Sequence, residues 1–377
     1  MLKLTFWMNM PSFYQADLFR ALLRTGKVDL RVIFTGRVSE DRSKLGWKDD
    51  LNGYEFEFLD EHNQVLHAVN KVRRYYADTN IVGGLWAGKV TESVLVTLLA
   101  LRSRYFIYSE APDPRISLPI FKRRLLKIIG GPLVRHAAGL LPISHFATAH
   151  FESYGAEDAK VYPFGYFRSP QEVVEDNSHS AGREGTEILY VGQIVHRKGI
   201  DVLLSALEPL FAAEENLRLQ LVGSGEMEGE LMSWVRERNL SSKVLFQGPV
   251  NPRKIMSEIS QADLLVLPSR WDGWGIVVNE ALMAGVPVIV SDMCGAADVV
   301  KEGINGYVFK SDDAEELERK LSLFLNNKTS WSKMREASKD VGRRLDAANA
   351  ANYLVEVLES GMHNEADLFI NYPWITA

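Results

Sequence analysis

Two carboxylates eight positions apart stand out in "SRWDGWGIVVNEALMAGVPVIVSD", Ser269 to Asp292. Asp272 lies in a glycine-rich turn, and Glu280 lies in what reads as a helix. Glu280 sits between "IVVN" and "ALMAG", an apolar setting in which a carboxylate is costly unless it has partners. Vicinal hydroxyls such as those of a ribose are suitable partners, and Asp272 in the turn above can reach the hydroxyls of a sugar. The competing reading is a solvated turn aspartate and a surface helix glutamate. The spacing does not by itself make the two acids a hydrolase pair, because carboxylate separation in space decides that chemistry.

Other residues add anion-binding chemistry. "DGWGIVV" opens the same helix with Gly275, Ile276 and Val277, and free N–H groups at a helix start favour phosphate. "HRKG" supplies Lys198 as a compact point charge, with Arg197 beside it. "VGSGEMEG" places Gly223 and Gly225 where backbone can approach a ligand closely. "QGPV", with Gly248 and Val250, can frame a flat base through backbone groups. Taken singly, each is more often a tight turn or a solvated pair. All of them fall at strand-to-helix turns, so one sheet edge can gather them.

The elements that must position these turns are legible in the second half. Strand "EILYV" leads to helix "IDVLLSALEPLF", strand "LRLQLV" to helix "EGELMSWVRER", and strand "KVLFQG" to helix "PRKIMSEISQ". Strand "DLLVLP" leads to helix "IVVNEALMAG" and then strand "VPVIV". This is doubly wound α/β order, in which ligands bind beyond the carboxyl ends of the strands. The first half shows strand "LKLTFW", turn "MNMPSFY", helix "QADLFRALLRTG", strand "DLRVIF", and apolar segments "NIVGGLW" and "YFIYSE". It parses poorly between Arg37 and Asn80. The polar stretch Arg168 to Glu187 reads as an interdomain linker. The expected domains are 1–168 and 187–356, with a tail at about 357–377 that crosses back to the first.

Composition narrows the class. A chain of 377 residues suits two domains. A net charge of −6 gives no basic field for nucleic acid. The one cysteine, Cys294, excludes an internal disulfide and a multi-cysteine zinc site. No Asp-x-Asp motif and no His/Asp cluster with ligand spacing occurs, so no metal is expected. The start "MLKLTFWMNMP" reads as a buried first strand, and the longest apolar run, "VLVTLLAL", is far below membrane-spanning length. A soluble, cytoplasmic protein is expected.

With these segments in view, the second half resembles the nucleotide-sugar-binding domain of glycosyltransferase family 4, the retaining enzymes of GT-B type. The matching runs are "EILYVGQIVHRKGIDVLLSAL", "LVGSGE", "VLFQGPV", "ADLLVLPSRWDGWGIVVNEALMAGVPVIVSD" and "GINGYVF". In the first half only "GLLPISHFATAHFESYGAEDAKVYPFGYF" is similar to the family's end-of-domain segment. The resemblance implies a GT-B fold: two Rossmann-like domains facing a central cleft, the first for acceptor and the second for donor. It implies that Glu280 binds the donor's ribose and that Asp272 contacts the transferred sugar, where the family usually has glutamate. It implies that Lys198 neutralises the diphosphate, and that the amides of Gly275, Ile276 and Val277 hold phosphate. With the turn residues read above, Gly192, Gln193, Gly223, Gly225, Gly248, Val250 and Trp274 complete the expected donor site. Gln193 stands where the family usually has an arginine, which removes one cation from the phosphate clamp.

The expected reaction is metal-independent, retaining transfer from a UDP- or GDP-linked sugar, with no cofactor beyond that donor substrate. Asp272, Lys198, Arg197 and Glu110, in "YFIYSEAPDP", are the expected catalytic groups. Domain closure would position donor and acceptor and exclude water. The acceptor is expected to be a glycan or a lipid-linked glycan, in surface polysaccharide or lipopolysaccharide assembly. "FKRRLLKIIGGPLVRHAAGLL", 121–141, mixes Lys122, Arg123, Arg124, Lys127 and Arg135 with Leu and Ile, a pattern suited to an anionic membrane surface. The competing reading is a surface helix with snorkelling basic residues. Trp271, Trp274, Phe13 and Tyr14 are aromatic candidates for stacking on sugar rings, with core packing as the commoner use; His145 and His150 read as structural. An epimerase or phosphorylase of the same architecture, or a non-catalytic nucleotide- or glycan-binding protein, are the alternatives.

Overall fold

The computed structural model describes residues 1–38, 51–59, 62–116, 119–170, 185–363 and 374. The described residues form two compact units. One contains those up to Ser169 and those from Ala347 onward; the other contains those from Pro170 to Asp346.

In the first unit the elements are β1 (Leu2–Met8), α1 (Phe13–Arg24), β2 (Val28–Phe34), β3 (Glu55–Phe58), α2 (Gln64–Tyr75), β4 (Thr79–Gly83) and α3 (Lys89–Ala100). β5 (Tyr105–Glu110), α4 (Ile120–Arg135), β6 (Gly139–Ile143) and α5 (Ser144–Glu152) follow. The sheet order is β3-β2-β1-β4-β5-β6, and every pairing is parallel. Parallel strands covered on both faces are buried along their length; β4 and all but the last residue of β5 are, as are the carboxyl-terminal parts of β1 and β2. Ser12 caps α1 by accepting from the Gln15 N–H, which fixes where that helix begins. Inside the sheet the Trp7 indole donates to Asn80 Oδ1 at 2.9 Å, so the one polar edge of a buried ring is satisfied.

The second unit runs β7 (Thr186–Val191), α6 (Ile200–Ala213), β8 (Leu217–Val222), α7 (Glu228–Glu237), β9 (Val244–Gly248), α8 (Ile255–Ser260) and β10 (Leu264–Leu267). It continues with α9 (Ile276–Met283), β11 (Val288–Ser291), β12 (Gly306–Phe309), α10 (Ala314–Asn326) and α11 (Trp331–Arg344). Its sheet order is β12-β11-β10-β7-β8-β9, again all parallel. Counted from each unit's own first strand, both sheets have the 3-2-1-4-5-6 order of a dinucleotide-binding fold. The doubly wound architecture expected from the sequence is therefore present twice.

Two boundaries differ from the sequence reading. Residues 347–356 were expected in the second domain, but α12 (Ala347–His363) packs along α1 of the first unit. Arg104 donates to the Leu358 carbonyl at 2.6 Å, and Trp374 packs against Phe167 and Tyr353 at centroid distances of 4.5 and 5.1 Å. The apolar face of α12 (Ala350, Tyr353, Leu354, Val357 and Leu358, all buried) needs that surface. The expected linker is also shorter at both ends. Arg168 is buried, pairs with Asp17 at 3.5 Å and lies over the Phe13 ring, while Glu187 belongs to β7. The middle of that stretch, 171–184, lies outside the described residues. No described helix is long and apolar enough to cross a membrane.

Candidate functional site

The carboxyl ends of β7, β8, β9 and β10 carry the turns singled out above. The β7 and β8 turns are joined through their backbones. Gly192 N–H donates to Val222 at 2.9 Å, Ile194 N–H to Ser224 at 2.9 Å, and Gly223 N–H to Gly248 at 2.9 Å. A side chain at Gly225 would meet the Ile194 carbonyl oxygen at 2.3 Å. These glycines are there because backbone lies against backbone. Tyr190 donates to the Gln193 carbonyl at 2.7 Å, which braces the first turn from below. Val250 is half-buried beyond β9.

The β7 turn is also locked to the β10 turn. Residues His196–Lys198 form a single 3-10 turn ended by Gly199 at φ +65°, and a Cβ there would lie 2.2 Å from the Pro268 carbonyl oxygen. Arg270 grips Asp201 in the first turn of α6 with two bonds of 2.8 and 2.7 Å, and donates to the His196 carbonyl at 2.8 Å. Burial opposes charge on Asp201, but the Arg270 hydrogen bonds and charge outweigh it and hold that carboxyl below its usual range. Arg197 donates to the Trp271 carbonyl at 2.7 Å. It was expected to act on the diphosphate; in this geometry its guanidinium ties the two turns together.

The central finding is an ion pair. Lys198 Nζ bonds Asp272 Oδ2, and the two side chains are only 12% and 16% exposed. Asp272 is held on both sides by backbone: its N–H donates to Met293 and its carbonyl accepts from Gly295, each at 3.0 Å. Gly275, at φ +94°, starts α9, and a Cβ on it would lie 3.7 Å from Asp272 Oδ2. The carboxylate therefore lies beside the positive end of α9. Ile276 and Glu280 are four apart and share one face of α9, and Glu280 is buried at 5% exposure. Lys198, Asp272, Gly275, Ile276, Val277 and Glu280 thus lie along one rim of the second unit.

Of the aromatic stacking candidates, Trp274 and Trp271 take the core-packing alternative. The Trp274 ring is 1% exposed and its Nε1–H donates to Asn279 Oδ1 at 2.9 Å, so it anchors the turn to α9 and offers no face to a sugar. Trp271 is buried as well. Below this turn Cys294 donates to the Trp274 carbonyl at 2.8 Å, and burial pushes its thiol well up.

In the first unit Glu110 ends β5, is exposed, and accepts from the Tyr166 hydroxyl. Tyr14 lies 4.6 Å from the Tyr166 ring, and burial together with Glu110 pushes the Tyr166 phenol up. The sequence reading missed Tyr166 because nothing in "YPFGYF" marks one tyrosine as a partner of an acid 56 residues earlier. His150 lies on α5 beside Tyr154, in keeping with a packing role; burial lowers its pKa. His145 stacks on Phe146.

The segment 121–141 is not one helix. α4 ends at Arg135 and β6 begins at Gly139. Gly130, Gly131, Leu133 and Val134 are buried, whereas Phe121, Leu125 and Ile128 are 78%, 44% and 70% exposed. Lys122, Arg123, Arg124 and Lys127 flank that exposed apolar stripe. Among the described residues no three His, Cys, Asp or Glu side chains gather as a metal site would require.

Residues 174–341 match the family of glycosyl transferases group 1. A stretch of 119 residues is 36% identical to an uncharacterised glycosyltransferase of Methanocaldococcus jannaschii, covering 32% of this chain and 30% of that one. A stretch of 184 residues is 27% identical to the D-inositol 3-phosphate glycosyltransferase of Corynebacterium aurimucosum, covering 47% and 44%. The chain thus spans less than half the length of either relative. Across 96% of this chain the fold is similar to all of Anabaena HepE, solved with UDP, at a TM-score of 0.74 and 14% identity. The fold is GT-B, and the segment 174–341, most of the second unit, is similar to the group 1 glycosyl transferases.

Proposed function

We propose that the protein is a retaining glycosyltransferase that moves a sugar from a nucleotide-diphosphate donor to a glycan or lipid-linked acceptor, in the assembly of surface polysaccharide or lipopolysaccharide. The observation that carries this reading is the rim of the second unit, where Lys198, the start of α9 and buried Glu280 lie together. Breaking a glycosyl–phosphate bond puts negative charge on the leaving diphosphate. Lys198 and the amides of Gly275, Ile276 and Val277 are fixed donors for that charge. Glu280 accepts from the ribose hydroxyls. Transfer needs no resident metal in this scheme, because ammonium and helix end supply the neutralisation. Relatives of this family, and a fold neighbour solved with UDP, support a nucleotide donor.

An amphiphilic acceptor is supported by two features of the first unit. The stripe Phe121, Leu125, Ile128 on α4 is exposed, so its flanking cations are not snorkelling from a buried stem. An unburied apolar stripe edged by four cations, with no acid between Pro119 and Ile129, fits an anionic membrane surface. An open groove of about 780 Å³ lies at the starts of α2 and α3, lined by Val65, Leu66, Val69, Val90 and Lys89. Glu110 with Tyr166 is the acceptor-side acid. On this reading the reaction takes place at the cytoplasmic face of a membrane.

Incubation with a panel of UDP- and GDP-sugars, with products read by mass spectrometry and anomers by NMR, tests the reading. Transfer or slow hydrolysis with retained configuration supports it. Isomerised sugar nucleotide points to an epimerase, and binding without turnover to a binding protein.

A further inference from the structure

The Lys198–Asp272 pair raises a question that the donor reading alone does not answer. The ammonium meant for the diphosphate is already neutralised by an acid of the same unit, and both side chains are largely buried. Neighbouring cations are engaged elsewhere: Arg197 on the Trp271 carbonyl, and Arg270 on Asp201, Asp312 and the His196 carbonyl. The backbones at both ends of the pair are held by neighbours. Gly199 lies against Pro268, and Asp272 is bonded to Met293 and Gly295. The carboxylate also lies beside Gly275, where the positive end of α9 favours an anion.

We propose that Asp272 is a placeholder anion: its carboxylate occupies the place of the donor's diphosphate between Lys198 and the start of α9, and donor binding displaces it. The inference rests on the donor reading of this rim. Its physical content is competition. Before a donor binds, the aspartate pairs with Lys198 and prevents an unpaired ammonium in a partly buried position. A diphosphate brings more charge and more acceptor atoms, so it wins Lys198 while losing part of its binding free energy to the exchange. The released carboxylate then turns to hydroxyl groups of the transferred sugar. Asp272 is thus a positioning residue in the empty enzyme and a sugar contact in the loaded one.

The test is calorimetric titration of inorganic pyrophosphate, UDP and GDP into the wild-type chain, Asp272→Asn, Lys198→Met and the double variant. Asp272→Asn should tighten pyrophosphate and the preferred nucleotide by about tenfold, the scale of a partly buried ion pair. The same variant should transfer sugar more slowly. In the Lys198→Met background the added Asp272→Asn change should have no tightening effect. Asp272→Ala gives a second measure should the asparagine variant fold poorly, with thermal melting as the control. A purely structural aspartate would weaken binding when removed, never tighten it. Wild-type binding that the Asp272 variants leave unchanged or weaken overturns the inference alone. Absence of any diphosphate binding in all four proteins overturns it together with the donor reading.

Discussion

A methyl group on Gly223 would lie 1.8 Å from the carbonyl oxygen of Gly192. The turns after β7 and β8 are therefore in backbone contact, and Gly223 holds φ +137°, where a side chain is strained. Gly223→Ala should destabilise the second unit by about 2–4 kcal/mol, combining backbone strain with overpacking. Thermal denaturation checks this; a melting temperature equal to wild type would mean that the turns can separate at little cost.

Arg270 and Asp201 join the β10 turn to α6, and the folded-state carboxyl of Asp201 lies below its unfolded value of about 3.9. Such a group contributes stability that is fully present above about pH 4 and is lost as pH falls through the folded-state value. Asp201→Asn should lower stability at neutral pH by roughly 1 kcal/mol, a figure discounted for solvent because the side chain is 38% exposed. It should also flatten the acid limb of the stability curve. Urea titrations at a series of pH values give both quantities.

Lys198→Ala should raise the barrier to transfer by about 2–4 kcal/mol if the ammonium stabilises the leaving diphosphate. Glu280→Gln keeps the volume of a buried side chain and removes its charge, so it should raise the donor KM with a smaller effect on kcat. Steady-state kinetics separate the two outcomes. Wild-type kinetics for Glu280→Gln would remove the ribose role.

Arg123→Ala with Arg124→Ala removes two of the four cations beside the exposed stripe of α4. Partition onto vesicles containing anionic lipid should weaken by about 2 kcal/mol, roughly thirtyfold. Donor affinity should not change. Co-sedimentation at low and physiological salt measures the first, and equal partition of variant and wild type would reject the lipid-facing role.

Much of the scaffold could be read from residue order. "YFIYSE" and "LRLQLV" are unbroken apolar or alternating runs bounded by breakers, and both strands occur over those residues. β3 was invisible because it is an edge strand, "EFEF", whose glutamates are held by Arg31 and Lys71 from other elements. α2 begins at Asn63 in a left-handed conformation without a side-chain cap, so it carries no ordinary start signal. β6 contains Pro142, which an edge strand tolerates. At the site, glycines and acids were legible because their types announce turns and anion chemistry. The bond between Lys198 and Asp272 was not, because 74 residues separate them and the choice of partner is made by tertiary packing. Trp274 was misjudged for a related reason: an aromatic in a loop looks available until its indole proves to be bonded to Asn279.

The Ala347 N–H donates to the Arg168 carbonyl at 2.9 Å, so the chain returns to the first unit beside the point where it left. Synthesis delivers α12 only after the whole second sheet has been made. Until then α1 keeps an uncovered oily flank, and the earlier-made lobe stays incomplete on the ribosome. The later-made lobe, continuous over its described residues, can finish first, which reverses the usual order of maturation along a nascent polypeptide.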